Sequence, residues 1–519
     1  MIIIKTLKKL FYDGKQYEPD TIITFGIEHK YGLATLEANK CIEIIPQAIE
    51  KEEIKAEKKT DDATIREEIF TLLLQKDKDQ ATERLSEEIQ QEIKFYATRF
   101  DEKSELYHYS EGIYISNGKS IVKEYCRSIL GVAYTEQLSN RVIAKIEADN
   151  YIEQEDLLKR HYADKVCCLN GILDLNTREL TEYDPEMIFL SKIPITYDTI
   201  ATCQAIDTFF SEILPEPKDV LTIQEWFGNC LQGKYPIQKI GLFIGEGANG
   251  KGQTLDLLRK FLGEQNCSAI PLQKLEGMDF KESELFSRFA NIGADISNQP
   301  LKETSKIKGL SGGDLINASV KFKNDLVFMN EAKLLFSANE LPKTYDLTPA
   351  FFRRWTYLIF PYQFKTQEEI ETLPKHTQKI CKIKTADIIN KILTPEELSG
   401  MLNQALDGLD RLTKQGDFTS SNTAEQTKNW WIQNSDSCLA FCWEELEENP
   451  TEYITKDDFR KNYNQYCRRH KLPAEGKKHI YEVLTRKIRA WDSQMSDGTR
   501  IWNGIKLKNI VVLAKEINK

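Results

Sequence analysis

The sequence predicts a multidomain protein of mixed α/β and α+β class, on three observations. Its 519 residues exceed what one core usually holds, at roughly 100 to 200 residues per domain. The run Ile240-Gly241-Leu242-Phe243-Ile244 enters a glycine-rich loop and then a helical apolar pattern, and further buried-strand runs follow it. The end of the chain changes charge sign: Thr455 to Lys519 holds 16 basic and 7 acidic residues, in a chain whose net charge is -10.

Taken in order, residues 1–50 read as a small β-rich module, with Thr21–Phe25 and Cys41–Ile45 as strand-forming runs between Gly14, Gly26 and Pro46. Residues 51–92 are rich in Glu, Lys and Gln, with Ile65, Ile69, Leu72 and Leu73 at helical spacing, and are expected to be a charged helical connector. Residues 93–235 alternate short strands such as Gly112–Ile115 with helical segments, a mixed helical domain ahead of the core. Within it Cys168–Leu175 reads as a strand pair around a turn. The core is expected over 236–365, a helical extension over 366–430 and a separate basic unit over 431–519.

Composition removes several classes. Hydrophobic residues at 41% and charged residues at 29% are those of a folded chain, not a disordered one. No stretch approaches the roughly 20 apolar residues needed to span a bilayer, and Lys5 interrupts the opening isoleucine run, so a cytoplasmic location is expected, in a host cell if the chain is virus- or plasmid-encoded. Eleven cysteines without CxxC pairs fit reduced thiols. Cys438 and Cys442 share a helix face, and no second ligand pair makes them a zinc site.

The chemistry is concentrated in the core. In Gly245-Glu246-Gly247-Ala248-Asn249-Gly250-Lys251, glycines let backbone N–H groups turn onto an anion, a helix N-terminus adds its dipole, and Lys251 reaches the terminal phosphates of ATP. Gly245, Gly247, Asn249, Gly250, Lys251, Gly252, Gln253 and Thr254 are the expected nucleotide-binding set. Gly252 stands where such loops carry the Ser or Thr that ligates Mg²⁺; Thr254 lies about 200° away around the helix, which leaves Gln253 or a water to fill the place. Asp295, at the end of Phe289–Ile296, is the candidate for holding Mg²⁺ and activating water. Asn339 terminates the apolar run Lys333–Ala338, where an amide orients the attacking water or senses the γ-phosphate. Arg353 and Arg354 precede another strand and are placed to stabilise charge on a phosphoryl group held by a neighbouring subunit. Lys321 and Lys323 alternate with apolar residues around an Asn-Asp turn, a hairpin suited to backbone phosphates.

In the basic tail, Thr455–Asp458 resembles a capping box and starts a helix whose core face is Phe459, Tyr463, Tyr466 and Cys467. A second helix carries Lys477, Lys478, Arg486, Lys487 and Arg489, followed by a hairpin turning at Asp497-Gly498 and returning through Arg500. Helices followed by a wing point to a winged-helix DNA binder.

This ordered set resembles the superfamily 3 helicases, specifically the phage, plasmid and poxvirus primase-helicase branch, across about residues 93 to 515. GEGANGKG looks like that family's phosphate loop, ANIGADIS its acidic strand, KGLSGGD with VKFK its signature segment and DNA-binding hairpin, LLFSANELP its sensor strand and FFRRW its arginine-finger region. LNGILDL through Tyr183-Asp184-Pro185 is similar to the domain that precedes the motor. The resemblance implies an AAA+-like P-loop core, a homohexameric ring using ATP and Mg²⁺, and movement on single-stranded DNA, usually 3′ to 5′, at a replication fork or origin. The acidic strand departs from many relatives in offering one carboxylate, Asp295, where they have two. The first hundred residues show no clustered acids or Cys/His set for primer synthesis, so a separate primase or polymerase is the expected partner. Two other functions stay open: an initiator-like DNA-binding scaffold with nucleotide-dependent assembly, which Gly252 favours, and a P-loop NTPase acting on protein or in packaging.

Overall fold

The computed structural model describes residues 2–6, 10–12, 15–17, 22–25, 42–45, 64–98, 104–153, 162–276, 282–318, 326–470 and 472–508. It divides into two compact units, Met1–His108 with Ile115–Glu153, and Tyr109–Tyr114 with Gln154–Lys519.

In the first unit, Ile2–Thr6 pairs antiparallel with Ile22–Phe25 on one side and Ile42–Ile45 on the other. The charged stretch expected as a connector is, over its described part, packed structure. Ile65, Ile69, Ala81, Leu85 and Ile89 close a core with Val122, Cys126, Val142 and Ile146 of helices Gly118–Leu130 and Glu136–Asp149. The charged residues of the amphipathic helix Lys78–Glu92 lie on the side away from its buried Ala81, Leu85 and Ile89, and its N-terminus is capped by the Asp77 carboxylate on the amide of Gln80. The expected 93–235 domain is also divided: 95–98, 106–108 and 115–153 belong to this unit, and residues from 162 onward belong to the second. The dividing contacts are long-range ones that local periodicity does not carry.

In the second unit, the hairpin Lys165–Cys168 and Gly171–Asp174 packs with helices α1 (Gln204–Ile213) and α2 (Pro217–Leu231) against the core sheet. That sheet is built from β1 (Ile240–Ile244), β2 (Cys267–Ser268), β3 (Ala290–Asp295), β4 (Lys333–Ala338) and β5 (Trp355–Ile359). All neighbours are parallel, in the order β2-β3-β4-β1-β5. Helix α3 (Lys251–Leu262) follows β1, and the short helix α4 (Ser305–Leu310) precedes an antiparallel pair, Leu315–Ala318 with Leu326–Met329. Both faces of the sheet are covered, which explains why its strands read as continuous apolar runs: all six residues of β4 are buried, including Lys333.

Helix α5 (Pro395–Gln415) lies along α2. The two backbones meet through glycine. A Cβ on Gly228 would stand 2.1 Å from the Ala405 carbonyl oxygen, and one on Gly408 would stand 2.6 Å from Gln224 backbone atoms. Glu225, fully buried on α2, accepts from Arg411 Nε at 2.7 Å and from the amide of Thr419 at 2.8 Å, so its charge is paired and its lone pairs are used.

The chain ends in a module with its own core. Its order is helix Ser437–Glu445, strand Leu446–Thr455, helix Lys456–His470, helix Lys477–Glu482, strand Trp491–Gln494 and strand Arg500–Leu507, with Arg500–Leu507 central in the antiparallel sheet. Phe459, Tyr463, Tyr466 and Cys467 face that core as their spacing predicts. No helix among the described residues is long and apolar enough to cross a membrane.

Candidate nucleotide site and nucleic-acid faces

The glycine loop leaves the C-terminal end of β1, where parallel strands point their carbonyl ends at one edge. Two left-handed residues bend it, Ala248 at φ 59° and Gly250 at φ 94°; Gly250 also lies against Ile213, where a Cβ would meet a methyl carbon at 2.8 Å. Asn249 is buried and pins the loop: its Oδ1 accepts from the Lys251 amide at 3.3 Å and its Nδ2 donates to the Phe360 carbonyl at 3.4 Å. Gly245 must lack a side chain, because a Cβ there would sit 2.2 Å from Asn249 Nδ2. Gly247 and Gly252 face open space, with no heavy atom within 4 Å of a Cβ built on either.

Lys251 is buried, and its ammonium donates to Asn339 Oδ1 at 2.6 Å, to the Ala338 carbonyl at 3.1 Å and to the Gly245 carbonyl. Burial pulls its pKa below the usual lysine range, and the Asp295 carboxylate partly opposes that shift. Asn339 Nδ2 donates in turn to Asp295 Oδ2 at 3.3 Å, and Ser337 Oγ donates to Asp295 Oδ1 at 2.5 Å. The ends of β1, β3 and β4 thus join Lys251, Asp295 and Asn339, far apart in sequence, in one hydrogen-bonded chain. Ser337 was not expected; the signal for it was a hydroxyl in a largely apolar strand, two residues before Asn339.

The remaining loop residues divide by position. Gln253 is exposed on the first turn of α3, whereas Thr254 is buried and its hydroxyl donates to the Gly250 carbonyl at 3.0 Å. The Thr254 hydroxyl thus serves the helix backbone, in keeping with its angular offset from 252. The donor set fits a magnesium–ATP complex in part. It has a loop edge open at Gly247 and Gly252, a buried ammonium and the exposed carboxylate Asp295, but no hydroxyl at 252.

The paired arginines diverge. Arg354 is buried, with Nε donating to Ser311 Oγ at 3.2 Å and Nη1 to the Ala350 carbonyl. Arg353 is exposed, and its Nη2 donates to Gln238 Oε1 at 2.7 Å. The Arg354 guanidinium is used inside the fold, and Arg353 is the more exposed of the two.

Lys321 and Lys323 lie outside the described residues, although both strands of their hairpin are described. In the C-terminal module, Lys477, Lys478, Arg486, Arg489 and Arg500 are exposed. Lys487 is half-buried. The helix continuing from Lys477 widens at its end, where the Ile488 amide bonds the Val483 carbonyl five residues back at 3.1 Å; burial lowers the Lys487 pKa and the Asp436 carboxylate partly opposes that shift. Asp436, Glu475 and His479 gather there, but His479 Nε2 lies 3.0 Å from Asp436 and Lys343 lies 2.7 Å from Glu475, so the carboxylates are already partnered.

Comparison with known proteins gives two family matches. Residues 4–215 match the family described as D5 N terminal like, and residues 243–354 match a family of unknown function (DUF5906). Among solved structures, the A form apo structure of the NrS-1 C terminal region is 10% identical, covering 81% of this chain and 98% of that one, with a TM-score of 0.40. The apo structure of NrS-1 C terminal region (305–718) is 12% identical with the same coverage and a TM-score of 0.38. No curated protein matches. The chain is thus similar to the D5 N terminal like family over residues 4–215, a stretch that leads into the core carrying the ordered motifs.

Proposed function

We propose that this chain is an ATP-driven DNA helicase of replication, a homohexameric AAA+-like translocase moving 3′ to 5′ on single-stranded DNA. The observation that carries the reading is the chain of contacts Lys251–Asn339–Asp295–Ser337 beside an open glycine loop. Bound ATP and Mg²⁺ supply the phosphoanhydride and the charge that polarises it. Lys251 exchanges its three oxygen partners for phosphate oxygens, and releasing Asn339 frees that amide to orient water next to Asp295. Asp295, fixed by Ser337, would hold the metal and help to polarise the water. Arg353, exposed on the turn before β5, is the group offered to a neighbouring subunit's phosphates.

Nucleic acid is gripped at two places. The hairpin between Leu315 and Met329 carries Lys321 and Lys323, and the C-terminal module presents Lys477, Lys478, Arg486, Arg489 and Arg500. The module's succession of helix, strand, two helices and two strands supports the winged-helix reading. The test is ATP hydrolysis by wild type and Lys251→Ala, with and without single-stranded DNA. DNA-stimulated turnover lost in the variant supports the motor. Nucleotide binding without turnover in wild type supports the second reading, a nucleotide-switched scaffold, which the missing hydroxyl at Gly252 favours.

A further inference from the structure

We infer that Gln238 is a positioning residue that couples the base of the hairpin to the Arg353 guanidinium, an inference that rests on the translocase reading above. Gln238 lies two residues before β1 and spans two elements. Its Oε1 accepts from Arg353 Nη2 at 2.7 Å, and its Nε2 donates to the Gly312 carbonyl at 3.1 Å. The partners fix which way the amide points, since a guanidinium only donates and a carbonyl only accepts. Gly312 belongs to the turn Ser311-Gly312-Gly313-Asp314, which runs directly into Leu315, the first residue of the hairpin.

A second contact grips the same turn. Arg354 Nε donates to Ser311 Oγ, so the adjacent residues Ser311 and Gly312 are tied to the adjacent arginines, one directly and one through Gln238. The outgoing strand is tied as well. Asn330 Nδ2 donates to the Leu310 carbonyl at 2.9 Å and the Ala332 carbonyl at 3.0 Å, after which β4 runs to Ser337 and Asn339. The hairpin base is therefore wired in two directions: by its entry to the exposed arginine, and by its exit to the sensing amide of the subunit's own loop. Displacement of the hairpin along DNA is transmitted to Arg353 through the Gln238 amide.

The experiment is steady-state ATP turnover of the full chain with and without single-stranded DNA, for wild type, Gln238→Ala and Gln238→Glu. Gln238→Ala is expected to lower kcat in the presence of DNA about tenfold, the scale of one charge-assisted hydrogen bond, with KM for ATP unchanged. Gln238→Glu keeps an acceptor for Arg353 but sets a carboxylate oxygen against the Gly312 carbonyl, so it too is expected to lose stimulation. Full stimulation in Gln238→Ala overturns the inference, as does full recovery in Gln238→Glu, which would leave no role for Gly312. A wild type without DNA-stimulated turnover overturns the translocase reading and this inference with it; a stimulated wild type beside an equally stimulated Gln238→Ala overturns the inference alone.

Discussion

Gly252→Ser restores the hydroxyl that phosphate loops of this kind carry, and the geometry makes it a clean substitution. Gly252 is the second residue of α3 and is exposed, and a Cβ there meets no heavy atom within 4 Å. The fold therefore gains only the helix preference of serine over glycine, roughly 0.3 to 0.5 kcal/mol, or about 1 to 2 °C in melting temperature. A neutral hydroxyl added to the shell of a bound cation contributes about 0.5 to 1.5 kcal/mol net, so the Mg²⁺ concentration for half-maximal turnover should fall about threefold to tenfold. The assay is ATP hydrolysis titrated with Mg²⁺ at fixed ATP, beside a thermal melt of each protein. An unchanged Mg²⁺ midpoint in a variant that melts like wild type would refute the placement of the metal between the loop and Asp295.

The two arginines should separate in one pair of assays. Arg354→Ala empties a buried position that bonds Ser311 and Ala350 and is expected to cost about 2 to 4 kcal/mol of stability. Arg353→Ala is expected to change stability by less than about 0.5 kcal/mol while turnover falls on the order of a thousandfold; the reverse pattern in melts and hydrolysis rates would exchange their roles. Asp346 supplies a pH test. Burial raises its pKa, but hydrogen bonds from Lys308, Thr304 and Thr348 outweigh burial and hold the carboxyl well below its usual range. Its folded pKa is depressed, so its stabilisation is present at neutral pH and lost as pH falls below about 4; melts of wild type and Asp346→Asn should differ at pH 7 and converge in acid. A gap that stays constant with pH would remove the carboxylate's charge from the account. Lys477→Ala and Lys478→Ala should each reduce the slope of log affinity against log salt by about 0.7 to 0.9 in DNA-binding titrations, and an unchanged slope would take that lysine off the DNA.

The core was legible because a sheet covered on both faces writes itself as apolar runs. Ile240–Ile244 was read with the bounds it has, the run from Lys333 to Pro342 holds the buried strand Lys333–Ala338, and Lys251, Asp295 and Asn339 converge because parallel strands end at a common edge. The contributions of Gln238 and Ser337 were not legible. Gln238, beside a strand, carries no periodic signal, and Ser337, a lone hydroxyl within β4, does not name its partner, which is set by register across the sheet: it lies opposite Asp295, where β3 and β4 shift register between Gly293 and Asp295. The same limit explains 51–92. Its charges dominate the composition, while the few apolar residues that pack it, Ile69, Leu85 and Ile89, find partners further along the chain, among Phe95 to Ile146. Helical spacing groups Lys487 with Arg486, and the widening of that last turn, which leaves Arg486 exposed and Lys487 half-buried, carries no signal in the spacing.

The glycine-mediated contact between α2 and α5 also bears on the order in which the chain folds. These helices lie on either side of the entire core sheet in sequence, so pairing them directly from the unfolded chain would close a loop of about 160 residues, an entropic penalty that no early contact offsets. Once the sheet has formed, the ends of that loop are already close and the remaining closure is short. Folding should therefore proceed from sheet to helix pair, with Glu225 finding Arg411 in a late step. Weakening that crossing would chiefly speed unfolding and leave the folding rate little changed.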